Sequence, residues 1–128
     1  MALKIELKEG EKVVVNGAVF AVRPRGKGAD LLILNQAKIL RAREIIKEED
    51  VDCIEKKLYF TIQLLYLFPE DSDRAAETMP KLMDDLRASR PEFSEQTDQI
   101  GRFLNEGRLY NALKLAGKLV KGHLPEVA

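Results

Sequence analysis

The side chains best equipped for chemistry in this sequence are cationic. Arg23, Arg25 and Lys27 stand in one short stretch, and Lys38, Arg41 and Arg43 in another. A planar guanidinium offers bidentate donors to a phosphate and can also stack on a base. Arg41 and Arg43 are two residues apart, so on a strand both would point to one face with Ala42 opposite. A nucleic acid could read such a face, and a merely solvated strand face looks the same. These six residues form the expected RNA-binding set.

Catalytic groups are scarce by comparison. The single histidine, His123, leaves a triad or a histidine-based metal site without its base or ligands. The lone Cys53 excludes a zinc ribbon, an iron–sulfur site and an internal disulfide, which fits a reducing cytosol. It reads as a small hydrophobe at the edge of a core. Asp84 and Asp85 read as a solvated helix face. Gly26-Lys27-Gly28 resembles a fragment of a phosphate loop but lacks the full spacing and the following Ser or Thr. The expectation is a cytoplasmic binding or regulatory protein, not an enzyme, with no cofactor, no metal and no catalytic residue.

Composition narrows the partner. With 45% apolar and 33% charged residues over 128 positions, the chain suits one ordinary domain or two small modules, not a disordered segment. No apolar run approaches the roughly 20 residues that span a bilayer, and the opening MALKIELKEG lacks the apolar core of a signal peptide. No membrane partner is expected. The net charge of zero hides a division. Residues 1–47 carry ten Lys or Arg against five Asp or Glu, and residues 48–128 carry eleven against sixteen. A basic first part invites a polyanion, and an acidic remainder repels one. Mutual attraction of the two parts, within one chain or between copies, would produce the same division.

The elements that must position the cations read as strands. Leu3, Ile5 and Leu7 alternate with charged residues and share one side. Lys12 to Val15 is a β-branched run, Asn16-Gly17 suits a type I′ hairpin turn, and Ala18 to Val22 is the partner strand. Arg23 to Gly28 is a basic loop. Leu31 to Leu34 reads as a short buried strand, Asn35-Gln36-Ala37 as a turn, and Lys38 to Ile46 as one more strand.

From residue 48 the period becomes helical. Glu48-Glu49-Asp50 reads as an acidic helix entry. Ile54 to Phe68 is apolar on nearly all faces, as a helix at the centre of a core would be. A second helix, Asp73 to Ser89, should bury Ala75, Ala76, Met79, Leu82, Met83 and Leu86, with Pro80 bending it or marking a restart. A third, Glu92 to Asn105, turns Phe93, Ile100, Phe103 and Leu104 inward. The last, Leu109 to Lys121, buries Leu109, Leu113, Ala116, Leu119 and Val120, with Gly107 and Gly122 as helix stops. The expected fold is α+β: a small antiparallel sheet or barrel-like module over 1–47, then about four helices over 48–128.

Two resemblances add to this reading. Gly10-Glu11, a short Gly turn, Lys27-Gly28, Asn35 and Arg43-Glu44-Ile45 follow an order similar to the carbon-storage regulator (CsrA) family, small dimeric β proteins that bind messenger RNA leaders. In that family an Arg before Glu-Ile contacts RNA, which would be Arg43, while its first-strand basic residue falls on Leu7 or neighbouring Lys8. The whole chain resembles the FlbT family of flagellin regulators from alpha-class proteobacteria. The carrying blocks are Leu3 to Glu11, Asn16 to Val19, Ile39-Leu40-Arg41 with Glu44-Ile45, Leu58-Tyr59-Phe60 with Gln63 to Leu67, and Gly107 to Lys114. Lys47 to Cys53 departs from the small polar or proline-containing stretch usual in that family. The resemblance implies post-transcriptional control of flagellin synthesis on the 5′ leader of flagellin mRNA, usually repression and in some members activation. It also implies a FlaF-type protein as partner.

Two functions therefore compete. One is an RNA-binding regulator whose basic module holds the leader while the helices organise homo-oligomers or hold a partner. The other is a protein–protein adaptor or chaperone that grips flagellin or a FlaF-type protein through the helical half. Its candidate contacts are Tyr59, Tyr66 and Tyr110, with Phe68, although core packing also uses such rings.

Overall fold

The computed structural model describes residues 3–16, 18–23, 28–34, 37–71 and 73–122. The expectations for Gly17, Arg25, Gly26, Lys27, Asn35, Gln36 and His123 lie outside the described residues. The fold is α+β, with small antiparallel sheets first and helices after. Contacts divide the chain between Ile45 and Ile46 into two compact units.

The first unit holds β1 (Leu3–Leu7), β2 (Lys12–Val15), β3 (Ala18–Ala21), β4 (Ala29–Ile33) and β5 (Ile39–Arg41). β1 and β4 form a two-stranded antiparallel sheet, and β3-β2-β5 a three-stranded one. The register Ile5↔Leu31 and Leu3↔Ile33 lines apolar residues along one face. Ile5 and Leu7 from that face pack with Val13, Val15 and Ile39 of the other sheet. Leu3, expected to share this burial, stands at the strand end and is 52% exposed. The expected buried strand at Leu31–Leu34 alternates instead: Leu31 and Ile33 turn inward, while Leu32 and Leu34 are exposed. An antiparallel sheet with one packed face sends every second residue to solvent.

Turn chemistry holds the strands in place. Val15 pairs with Ala18, and Asn16 sits at φ 49°, as a two-residue type I′ hairpin requires. A Cβ at Gly28 would stand 2.5 Å from the Leu7 carbonyl oxygen, so only glycine lets the chain enter β4 this close to β1. The last expected strand, Lys38 to Ile46, is cut short. It stops at Arg41, and Ala42–Glu44 form a 3-10 turn. The Arg41 N–H donates to Glu44 Oε1 at 2.9 Å, so a nearby side chain takes the donor that a longer strand would have used in its ladder.

The second unit opens with a 3-10 turn at Glu48–Asp50, followed by α1 (Ile54–Leu67), α2 (Asp73–Ser89), α3 (Ser94–Asn105) and α4 (Leu109–Val120). The acidic run expected to enter the first helix is thus a separate turn, and the carboxylate in the first turn of α1 is Glu55. α2 runs through Pro80 without restarting. Gly107, at φ +74°, takes the left-handed conformation that ends α3 and leads to α4.

α1 packs on both α4 and α2. Leu58, Ile62, Leu86, Ile100 and Leu113 form the fully buried centre, and Ala76, expected inside, is exposed. α1 itself is not covered on all sides. Leu64, Leu65 and Leu67 are half-buried and Phe68 is 45% exposed, whereas Thr61 and Gln63 are buried. Both polar residues are satisfied, which removes the cost of burying them. Thr61 Oγ1 donates to the Lys57 carbonyl at 2.7 Å. Gln63 receives the Ile46 N–H on Oε1 at 2.8 Å and donates Nε2 to the Ile46 carbonyl at 2.9 Å, completing that residue's backbone pairing as a neighbouring strand would.

Cys53 is exposed, not a core-edge hydrophobe. It occupies the N-cap position of α1, before the apolar face begins. Nearby, Arg90 lies 4.6 Å over the Phe93 ring and reaches the buried Glu55 at 3.4 Å. Its hydrogen bond to Glu92 holds that carboxyl below the ordinary value, as the Lys56 hydrogen bond does for Asp52. Both contributions are present at neutral pH and fade as the pH falls through the carboxylate range.

Candidate nucleic-acid interface

The expected cations of the strand unit divide into committed and accessible groups. Lys38 is fixed by its backbone: its N–H donates to Asn16 Oδ1 at 2.7 Å, and its carbonyl accepts the Asn16 N–H at 2.8 Å. Its side chain lies on a half-buried residue. In Arg41 the charged group itself is engaged. Its Nη1 stands 3.4 Å from Glu11 Oε2 and 3.5 Å from the Glu6 carbonyl, and its side chain is 30% exposed.

Arg43 has moved off the strand onto the Ala42–Glu44 turn, where it is exposed. Arg41 and Arg43 therefore share no strand face, contrary to the two-residue spacing rule, because that rule holds only while the strand continues. Arg23 is exposed immediately after the hairpin. The preceding Val22 is anchored by its N–H to the Glu11 carbonyl at 3.1 Å and by its own carbonyl to the Gly10 N–H at 3.2 Å. Among the described residues neither Arg23 nor Arg43 makes an ion pair.

The shallow cleft beside Arg41 is mixed in charge. Glu6, Glu9, Glu11 and Asp30 line it together with Lys8, Arg41 and Arg43. Four carboxylates against three cations make its floor a poor seat for phosphate. Arg43, which lines the cleft, and Arg23, which does not, are both exposed and make no ion pair among the described residues; Lys8 and Lys12 are exposed as well.

The three tyrosines of the helical unit run along one seam. A Cβ at Gly117 would stand 3.2 Å from Tyr59 Cε2, so Tyr59 packs on the bare face of α4. Seven residues further along α1, Tyr66 meets Tyr110 with ring centroids 5.8 Å apart, tilted by 42°. Lys114 Nζ lies 5.8 Å from the Tyr110 centroid. Tyr59 and Tyr66 are half-buried and Tyr110 is 37% exposed, so the seam is chiefly helix packing with one accessible end.

A feature not expected from the tyrosines lies on another face of α1. Phe60, Leu64 and Phe68, spaced by four, form an apolar groove of about 460 Å³ against Ala75 and Thr78 of α2, with Lys57, Arg74 and Glu48 also lining it. The signal was present in the all-round apolar pattern of α1, since a helix with neighbours on two sides leaves part of such a surface uncovered. Among the described residues no group of three or more His, Cys, Asp or Glu could hold a metal ion, and no helix is long and apolar enough to cross a membrane.

Comparison with known proteins gives these features a family context. A probable flagellum biosynthesis repressor protein FlbT of Chelativorans sp. (strain BNC1) is 30% identical over 113 residues, 87% of this chain and 76% of that protein. The probable flagellum biosynthesis repressor protein FlbT 1 of Bradyrhizobium diazoefficiens is 33% identical over 121 residues, 94% of this chain and 81% of its own length. The flagellum biosynthesis repressor protein FlbT of Caulobacter vibrioides (strain ATCC 19089) is 28% identical over 123 residues, 94% of this chain and 86% of its own. No solved structure matches the chain. The family described as flagellar protein FlbT matches residues 3–123, nearly the whole length, and the chain belongs to that family.

Proposed function

We propose that this protein represses flagellar synthesis after transcription, by holding the 5′ leader of flagellin mRNA on its strand unit in the cytoplasm. The relatives' shared name, flagellum biosynthesis repressor, supports the outcome. The observation that carries the RNA reading is the outward charge of the strand unit. Arg23 and Arg43 are exposed and free of ion pairs among the described residues, in a segment whose cations outnumber its carboxylates two to one over residues 1–47. Such cations release counterions from a nucleic acid backbone and so give affinity without demanding a pocket. The helical unit then serves homo-oligomers or a FlaF-type partner.

A reporter carrying the flagellin leader tests the cellular role. Deleting the gene for this chain should raise expression of that reporter and leave a reporter with an unrelated leader unchanged, at equal mRNA synthesis. An equal rise in both reporters would contradict leader-dependent repression.

The α1–α2 groove favours a second reading, a protein–protein adaptor acting on flagellin or a FlaF-type protein. Phe60, Leu64 and Phe68 would anchor an amphipathic helix, with Lys57 and Arg74 meeting its carboxylates. Burial of apolar side chains would keep that complex intact at salt concentrations that release RNA.

A further inference from the structure

We propose that Phe20 is a stacking platform for an unpaired base of the bound RNA, an inference that rests on the RNA reading above. Phe20 is the only aromatic residue among positions 1–45. A phenylalanine removes roughly 150–250 Å² from water when buried, and a small unit with few core side chains has every reason to use it so. The unit instead packs Ile5, Leu7 and Val13 as its buried cluster and leaves Phe20 45% exposed.

Its position suits a ligand. Phe20 lies on β3, whose four residues are all exposed and whose one strand partner among the described residues is β2. The register Phe20↔Val13↔Arg41 puts the ring on the face of Val13 that packs on Ile5 and Leu7, at the uncovered outer end of a row that runs to Arg41. The carboxylate nearest that row, Glu11, is engaged by Arg41 and by the Lys8 N–H at 2.8 Å, so its charge is partly offset. Arg23, exposed three residues further along the chain, is the described cation nearest to Phe20 in sequence and adds to the positive charge that draws a phosphate backbone to this edge. An exposed ring on a basic unit is a combination that single-stranded nucleic acids use, since every base has a π-face.

Charge decides against the other natural occupant of an exposed edge, a second copy of this chain. Residues 1–45 carry nine Lys or Arg against five Asp or Glu, so two such units repel each other, whereas a polyanion is attracted.

The chain contains no tryptophan, so Phe20→Trp places a single fluorescent indole at the proposed platform. With the full-length protein, saturating single-stranded flagellin leader should strongly quench this emission at near wild-type affinity. A fully duplexed form of the same RNA should not quench it, because its bases are already stacked. Phe20→Ala should weaken leader binding by roughly 5- to 150-fold, the effect of losing one base–aromatic stack, with the salt dependence unchanged. Unaltered emission at saturating RNA, with Phe20→Ala binding as the wild type does, overturns the platform and leaves the RNA reading standing. Wild-type protein that binds no RNA overturns both. Quenching that follows protein concentration without RNA gives the edge to a second copy and overturns the proposal. Should Phe20→Ala fail to fold, the indole signal alone decides.

Discussion

Ile62→Ala is expected to lower the unfolding free energy by about 2–5 kcal/mol, because it leaves a cavity in a sealed core. Ile62 is 0% exposed at the centre of the helical unit, on the helix that packs on both α2 and α4. Stabilities of natural domains are about 5–15 kcal/mol, so this loss removes a large share of the total. Leu64→Ala, two residues along the same helix, should cost about 1 kcal/mol. Leu64 is half-buried on the α1–α2 groove, and truncating it widens a cleft that already opens to solvent. Urea unfolding followed by circular dichroism separates the two. Equal losses would mean that the groove is closed in solution, and the adaptor reading would lose its surface.

The contrast between Ile62 and Leu64 also marks how far the amino-acid pattern could be read. Four helices with ends close to those observed follow from periodicity, from Pro91 and from the left-handed Gly107, because these signals are local. Which side of α1 is covered depends on where neighbouring helices end, and no local pattern records that. The apolar pattern of α1 assigned no role to Gln63, yet it is buried and supplies the backbone of Ile46 with both hydrogen bonds. In the strand unit the hairpin at Asn16 was legible from one dipeptide. The end of β5 was not, because it depends on Glu44 reaching back to the Arg41 N–H, a contact that a β-branched and basic sequence does not advertise. That single contact separates Arg41 from Arg43 and changes which arginines can meet a ligand. Phe20 was legible only as a strand residue, since nothing in the spacing says that it stands at an open edge of the sheet and stays 45% exposed.

The second large effect follows from this sorting of the arginines. Arg23→Ala combined with Arg43→Ala should weaken RNA binding across all sequences, while the protein melts as the wild type does, since both residues are exposed. For a single strand the logarithmic salt slope is about −0.7 per phosphate contact, so two lost contacts flatten it by about 1.4. The affinity gap between wild type and variant should then shrink about sevenfold between roughly 50 and 200 mM salt. Arg41→Ala should behave differently. It removes the cation that stands against Glu11, so it should lower stability and leave the salt slope nearly unchanged. A slope that responds to Arg41 and ignores Arg23 and Arg43 would make the arginine paired with Glu11 the phosphate contact and reverse the assignment.

Titration of the purified chain with flagellin leader and with a scrambled RNA of equal length, each at two salt concentrations, tests the central claim most directly. The account predicts that both RNAs bind at low salt, that the leader binds more tightly, and that both weaken steeply as salt rises while the preference for the leader persists. Absence of binding at low salt, or binding that ignores salt, would contradict it.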